Sequence, residues 1–157
     1  MATLTTSFKE KINIQGRTVD NEVSNLIENI TDIYHRVITI PSGVDSEVVS
    51  FGTAATISQP TLDRDFVKYV RITNKGTGTV NMVVATDEDD ATPDETADAG
   101  FTYQLSGGES FIFHKTKSSI DTGAATISTT FRDIDHILID SVSTEATIEV
   151  FAAATKS

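Results

Sequence analysis

The sequence predicts an all-β protein, an antiparallel β-sandwich of jelly-roll type with about eight strands. Three observations predict it. Short runs of β-branched and aromatic residues recur from about Tyr34 to Ala152, each closed by a cluster of Gly, Asn or Ser, which is the pattern of sandwiches and barrels. The hydrophobic fraction is only 38% while Thr and Ser are plentiful, as suits a thin sandwich with hydroxyl-rich outer faces. Finally, 157 residues without a single Cys make one domain, long enough to be held by its core and without disulfides or thiolate metal sites.

In chain order, residues 1–17 read as an arm. Phe8, Ile12 and Ile14 alternate with Lys9, Lys11 and Asn13, which is strand-like. Residues 18–33 are ambiguous. Val19, Val23, Leu26, Ile27 and Ile30 follow helical spacing and Asp20 can serve as N-cap, so a short helix near 18–33 competes with an irregular connection. Strands are then expected at Tyr34–Ile40, stopped by Pro41-Ser42-Gly43, and at Glu47–Gly52. Pro60 bars a central strand in the link to Asp65. Phe66–Thr73 and Thr79–Thr86, separated by a Gly-rich turn, read as a hairpin. Two further pairs follow, Phe101–Leu105 with Glu109–His114, and Asp133–Ser141 with Ala146–Ala152. In the last strand Ala146, Ile148, Val150 and Ala152 share one face, and Val80, Met82 and Val84 form a similar stripe. The expected organisation is an arm, 1–17, and a single sandwich domain, 18–157.

Charge narrows the partners. The formal net charge is −11, with seven acids between Asp87 and Asp98 and no base among them. Phosphate binding needs clustered Lys and Arg, so no nucleic-acid partner is expected. The arm reverses the trend, with Lys9, Lys11 and Arg17 against Glu10. No apolar run approaches the roughly 20 residues that span a bilayer, and Met1–Thr6 lacks the basic and apolar regions of a signal peptide. The chain is therefore expected to be made in the cytoplasm, with no membrane partner.

Nothing catalytic is written on this pattern. There is no G-x-S-x-G elbow. Ser106-Gly107-Gly108-Glu109-Ser110 reads as a turn between strands, since Gly supplies positive φ. Gly76-Thr77-Gly78 is not followed by a helix that would present amides to a phosphate. His35, His114 and His136 are too dispersed to form one metal cluster, and the acids of 87–98 lack EF-hand spacing. Asn29-Ile30-Thr31 fits the glycosylation pattern, but no secretion signal accompanies it. No enzyme activity, cofactor or metal is expected.

Three stretches carry a resemblance: Lys68-Tyr69-Val70-Arg71-Ile72-Thr73-Asn74, Leu105-Ser106-Gly107-Gly108-Glu109-Ser110-Phe111-Ile112, and Glu145-Ala146-Thr147-Ile148-Glu149-Val150-Phe151-Ala152. In this order they resemble small virion proteins of tailed, especially marine, bacteriophages, over about residues 30–157. The segments 87–99 and 115–132 match nothing in that pattern. The resemblance implies a virion structural protein, a capsid decoration (cement) protein or a neck or tail accessory subunit. Its partners would be other virion proteins and further copies of itself. Phe8, Lys9, Lys11, Ile12, Ile14 and Arg17 of the arm are then the candidate subunit contacts, because a polar arm in solvent does not need an apolar stripe; the alternative is that the stripe pairs as an edge strand on its own domain. The competing reading is a carbohydrate- or host-surface-binding module, since jelly rolls host lectin sites. Absent Trp and only three Tyr leave it little to stack on sugar rings.

Overall fold

A rolled-up hairpin organises the chain. The structure, a computed structural model, describes residues 2–52, 61–86, 99–113, 119–121, 131–142 and 144–155. The described strands are β1 (Ala2–Ile14), β2 (Arg17–Ile30), β3 (Asp32–Ile40), β4 (Asp45–Gly52), β5 (Thr61–Asp63), β6 (Val67–Asn74), β7 (Val80–Thr86), β8 (Ala99–Leu105), β9 (Ser110–Phe113), β10 (Ser119–Asp121), β11 (Phe131–Asp133), β12 (His136–Asp140) and β13 (Ala146–Ala154). One sheet has the order β3-β13-β6-β9. The other runs β4-β12-β7-β8, with β5 added parallel beside β4. Among the eight sandwich strands the first pairs with the last, the second with the second-to-last, the third with the third-to-last and the two middle ones with each other, all antiparallel. That is the topology of a jelly roll.

All eight expected strands are present, and their alternation is the expected one. Ala146, Ile148, Val150 and Ala152 point into the sandwich, against Val80, Met82 and Val84 from the opposite sheet, together with Ile40, Ile72, Leu105, Ile137 and Ile139. Roughly 25 cal/mol per Å² of apolar surface removed from water holds the two layers together.

The expected pairing of neighbours is overturned. β6 and β7, β8 and β9, and β12 and β13 are not hairpins; in each case the two strands belong to different sheets. A Gly-rich reversal only turns the chain around. Whether the second strand lies beside the first or across the core depends on which arrangement buries both apolar stripes, and here each pair faces across the core.

The expected helix near 18–33 is also overturned. Residues 17–30 are β2, and β3 begins two residues later. Val19, Val23 and Ile27 are four apart, a spacing that puts residues on one face of a helix and equally on one face of a strand. The extended segment therefore does not end at Arg17; it folds back on itself to Ile30. The acidic stretch 87–98, His114 and most of 115–132 lie outside the described residues.

Candidate interaction surface

The N-terminal hairpin is built from a two-residue turn. Gln15 and Gly16 both have positive φ, 51° and 79°, the combination a type I′ turn requires and the one that matches strand twist. From it twelve cross-strand partners run back to Ala2 and Ile30. A register shift between Ala2 and Leu4 coincides with Asn29 at φ 62°, a residue type that tolerates the left-handed region.

The register sorts the side chains onto two faces. One carries Leu4 opposite Ile27, Phe8 opposite Val23, Ile12 opposite Val19, and Ile14 opposite Arg17, with the polar pairs Thr6–Asn25 and Glu10–Asn21 set between them. The other carries Ser7 opposite Ser24, Lys9 opposite Glu22 and Lys11 opposite Asp20. Ser7 and Ser24 share a hydrogen bond of 2.8 Å, and Lys9 lies 3.8 Å from Glu22 and 3.9 Å from Asp20. The candidate contacts thus divide: Phe8, Ile12, Ile14 and Arg17 share the apolar face, Lys9 and Lys11 the polar one. The basic character of the arm is offset by the acids of β2, which makes the hairpin apolar on one side more than basic. Val19 and Val23 belong to the same stripe; reading them as helical hid this.

The base of the hairpin is docked and its far part is not. Ile30, with Leu4 and Ile27, packs on Tyr69, Ile112, Phe151 and Ala153 of the outer face of the β3-β13-β6-β9 sheet. Beyond, Ile12, Ile14, Val19 and Val23 are each more than half exposed, and Phe8 nearly so. Between base and sheet lies an open cleft of about 370 Å³, walled by Leu4–Phe8 on one side and Tyr69, Arg71, Ser110, Ile112 and Phe151 on the other. Thr6 Oγ1 and Arg71 Nε are buried there without a hydrogen-bond partner among the described residues.

Beside the cleft a charge cluster centres on Glu149. Its carboxylate accepts a 2.7 Å hydrogen bond from Arg71 Nη2, with Lys75 Nζ at 3.6 Å and His35 Nε2 at 3.3 Å. Partial burial pushes the Glu149 carboxyl up, but Arg71, Lys75 and the hydrogen bonds together outweigh it and hold it below the ordinary glutamate value. Burial raises the Tyr69 hydroxyl, with Arg71 pulling part of the way back. The Arg71 guanidinium also sits 5.8 Å from the Phe151 ring centre. His136 Nδ1 lies 2.9 Å from Glu47, and Arg64 binds Asp135 at 2.8 Å and Asp133 at 3.5 Å. These three clusters tie neighbouring strands and loops together.

The motif stretches meet in space. Asn74, fully buried at the end of β6, donates from Nδ2 to the carbonyls of Gly78 (2.7 Å) and Leu105 (3.1 Å) and accepts from the Gly76 amide (3.0 Å). Its backbone bonds Gly108 and Glu109, while the Glu109 carboxylate accepts from the Ser106 amide at 2.7 Å. A Cβ on Gly107 would fall 2.5 Å from the Gly76 carbonyl oxygen. Asn74 and the Ser106–Glu109 turn therefore form one structural knot and not an oxyanion hole. At the other side of the sandwich, Phe101 and Tyr103 are exposed and gather with Phe111 and Phe113 at ring distances of 4.8–6.1 Å.

Among the described residues no group of three His, Cys, Asp or Glu is placed to hold a metal ion, and no helix is long and apolar enough to cross a membrane. No family model and no curated protein matches the chain. A solved structure described as "Bacillus endospore appendages form a novel family of disulfide-linked pili" is similar over 79% of this chain and 89% of its own, with a TM-score of 0.39 and 14% identity. So distant a likeness says nothing about what this chain does.

Proposed function

We propose that the chain is a non-enzymatic structural subunit of a tailed-phage virion, a capsid decoration protein or a neck or tail accessory subunit, acting through protein–protein contacts. The observation that carries the assembly part of this reading is the hairpin. Its apolar stripe runs far past the sheet that covers its base. A two-stranded ribbon is marginal alone in water, and large apolar side chains gathered in the open on one face of it mark an interaction site. A rigid sandwich with a projecting arm suits a particle subunit, because the arm adds buried area that a compact block cannot reach. The virion part rests on the sequence resemblance of the three stretches that Asn74 and the Ser106–Glu109 turn partly join.

The test is gold labelling of purified virions from the source of the chain with an antibody to the sandwich. Label at capsid, neck or tail supports the reading and locates the subunit. Absence of the chain from intact and disrupted particles overturns it.

One observation favours the second reading, a carbohydrate- or host-surface-binding module. Phe101 and Tyr103 offer an exposed aromatic surface that the count of Tyr residues did not suggest. A glycan that raises the melting temperature of the wild type but not of Tyr103→Ala would favour that module over a purely structural subunit.

A further inference from the structure

Resting on the assembly reading above, we infer that the occupant of the exposed hairpin face is a second copy of this chain, bound head to tail. The distal hairpin of one copy lies on the uncovered strip of the outer sheet face, at Ile33 and Val37 of β3, in the next.

The registers place donor and acceptor. On the outer face, Ile33 lies opposite Ala153, His35 opposite Phe151 and Val37 opposite Glu149. Across β13, Ala153 lies opposite Tyr69 and Phe151 opposite Arg71. Tyr69, Phe151 and Ala153 are where the chain's own hairpin base docks. This face therefore already accepts the apolar side of this hairpin, through Leu4 and Ile27. Of the side chains that continue that side, Ile12, Ile14, Val19 and Val23 are each more than half exposed. The part of the face that the hairpin leaves bare is β3, where Ile33 is 57% and Val37 58% exposed. Among the described residues, half the hairpin lacks a sheet and one edge of the same sheet face lacks a cover.

The dimensions agree. Past Phe8 and Val23 the hairpin continues for six cross-strand pairs, from Lys9–Glu22 to Ile14–Arg17, or roughly 20 Å at about 3.4 Å per residue. The five apolar residues of the stripe leave on the order of 100 Å² each exposed, roughly 500 Å² together. With a polar rim this approaches the ~800 Å² per partner of a standard interface. The β3 strand offers its outer face. It is nine residues long, pairs with β13 without a register shift and holds no Pro; its exposed Asp32 and Arg36 discourage pairing along the edge itself, so the contact is made on the face at Ile33 and Val37. Because the patch on one copy differs from the patch on the other, the contact is heterologous and generates a ring or an open row.

The absence of native Cys makes disulfide trapping clean. Ile12→Cys and Val37→Cys are prepared separately, both at exposed positions, with circular dichroism to verify the fold. The two are mixed and oxidised under conditions that also allow each to pair with itself. The expected result is a 12–37 disulfide in preference to 12–12 and 37–37. A predominance of 12–12 would mean that hairpins meet face to face, and would overturn the inference. A chain that stays monomeric in ultracentrifugation and gives no 12–37 product, yet is found in virions, would overturn it too, leaving the assembly reading intact with another virion protein as occupant. Loss of both self-association and virion incorporation would remove the two together.

Discussion

At the scale of single residues, Asn74 and Glu149 carry distinct loads. Asn74 satisfies two carbonyls and one amide while fully buried. Asn74→Ala leaves those groups without their side-chain partner, and an unpaired buried polar group costs about 1–3 kcal/mol. A loss of about 2–4 kcal/mol is expected, which in a chain of this size lowers the melting temperature by roughly 6–12 °C; calorimetry checks it. Gly107→Ala should act in the same direction, because the new methyl meets backbone and not a movable side chain. Glu149 gives a pH signature. Its carboxyl is held below the ordinary value of 4.5, so the unfolded chain binds the proton more readily than the folded one. The stability it contributes is complete above pH 4.5 and is lost as the pH falls through the depressed folded value. Glu149→Gln should cost about 1 kcal/mol at neutral pH, discounted for the partial exposure of Arg71, and should flatten this part of the acid limb. Urea unfolding from pH 7 down through the acid range separates the two: the variant and the wild type should differ at pH 7, and the gap should narrow as the pH falls below 4.5.

At the scale of elements, the hairpin separates into a docked base and a free shaft. Replacing Lys9–Glu22 by Asn-Gly keeps the Phe8–Val23 pair and closes it with a favoured two-residue turn. The base cluster of Leu4, Ile27, Ile30 and Tyr69 is untouched, so the melting temperature should stay within a few degrees of wild type. Incorporation into virions should fail, as read by gel analysis of particles assembled with the shortened chain. Normal incorporation of a folded, shortened chain would move the contacts from the shaft to the sandwich. The link between β7 and β8 lends itself to the same treatment. Thr86 and Ala99 are direct partners, so the gap that residues 87–98 bridge can be closed by a two-residue turn. Replacing Asp87–Asp98 by Asn-Gly removes seven like charges. It should leave thermal stability unchanged at moderate salt and raise it slightly at low salt, where self-repulsion is least screened.

At the scale of the whole molecule, two local rules and one global choice made the fold. Strands were readable wherever a period of two ran into a turn, as at Val80, Met82 and Val84 of β7 or at Ala146–Ala152, because burial on one face of a pleated strand imposes that period on the sequence. The jelly-roll class followed from eight such runs and the long links between them. Of the candidate contacts, Phe8, Ile12 and Ile14 were readable as a stripe for the same reason. Pairing was not readable. The turn after Asn74 and the turn after Leu105 both signal a reversal, yet each carries the chain to the opposite sheet. The β3–β13 partnership joins residues more than a hundred positions apart, and no local pattern encodes it. Nor could Val19, Val23 and Ile27 declare themselves strand, since a spacing of four satisfies both geometries. Lys9 and Lys11 looked like an uncompensated basic patch until β2 brought Asp20 and Glu22 across from them. The sequence by itself determined where the chain is extended, where it turns and which side chains seek burial, because those depend on neighbours along the chain. Only the tertiary structure decided which strands are partners, which charges are matched and which apolar face is left bare, because each of these is a competition among distant segments for the same contacts.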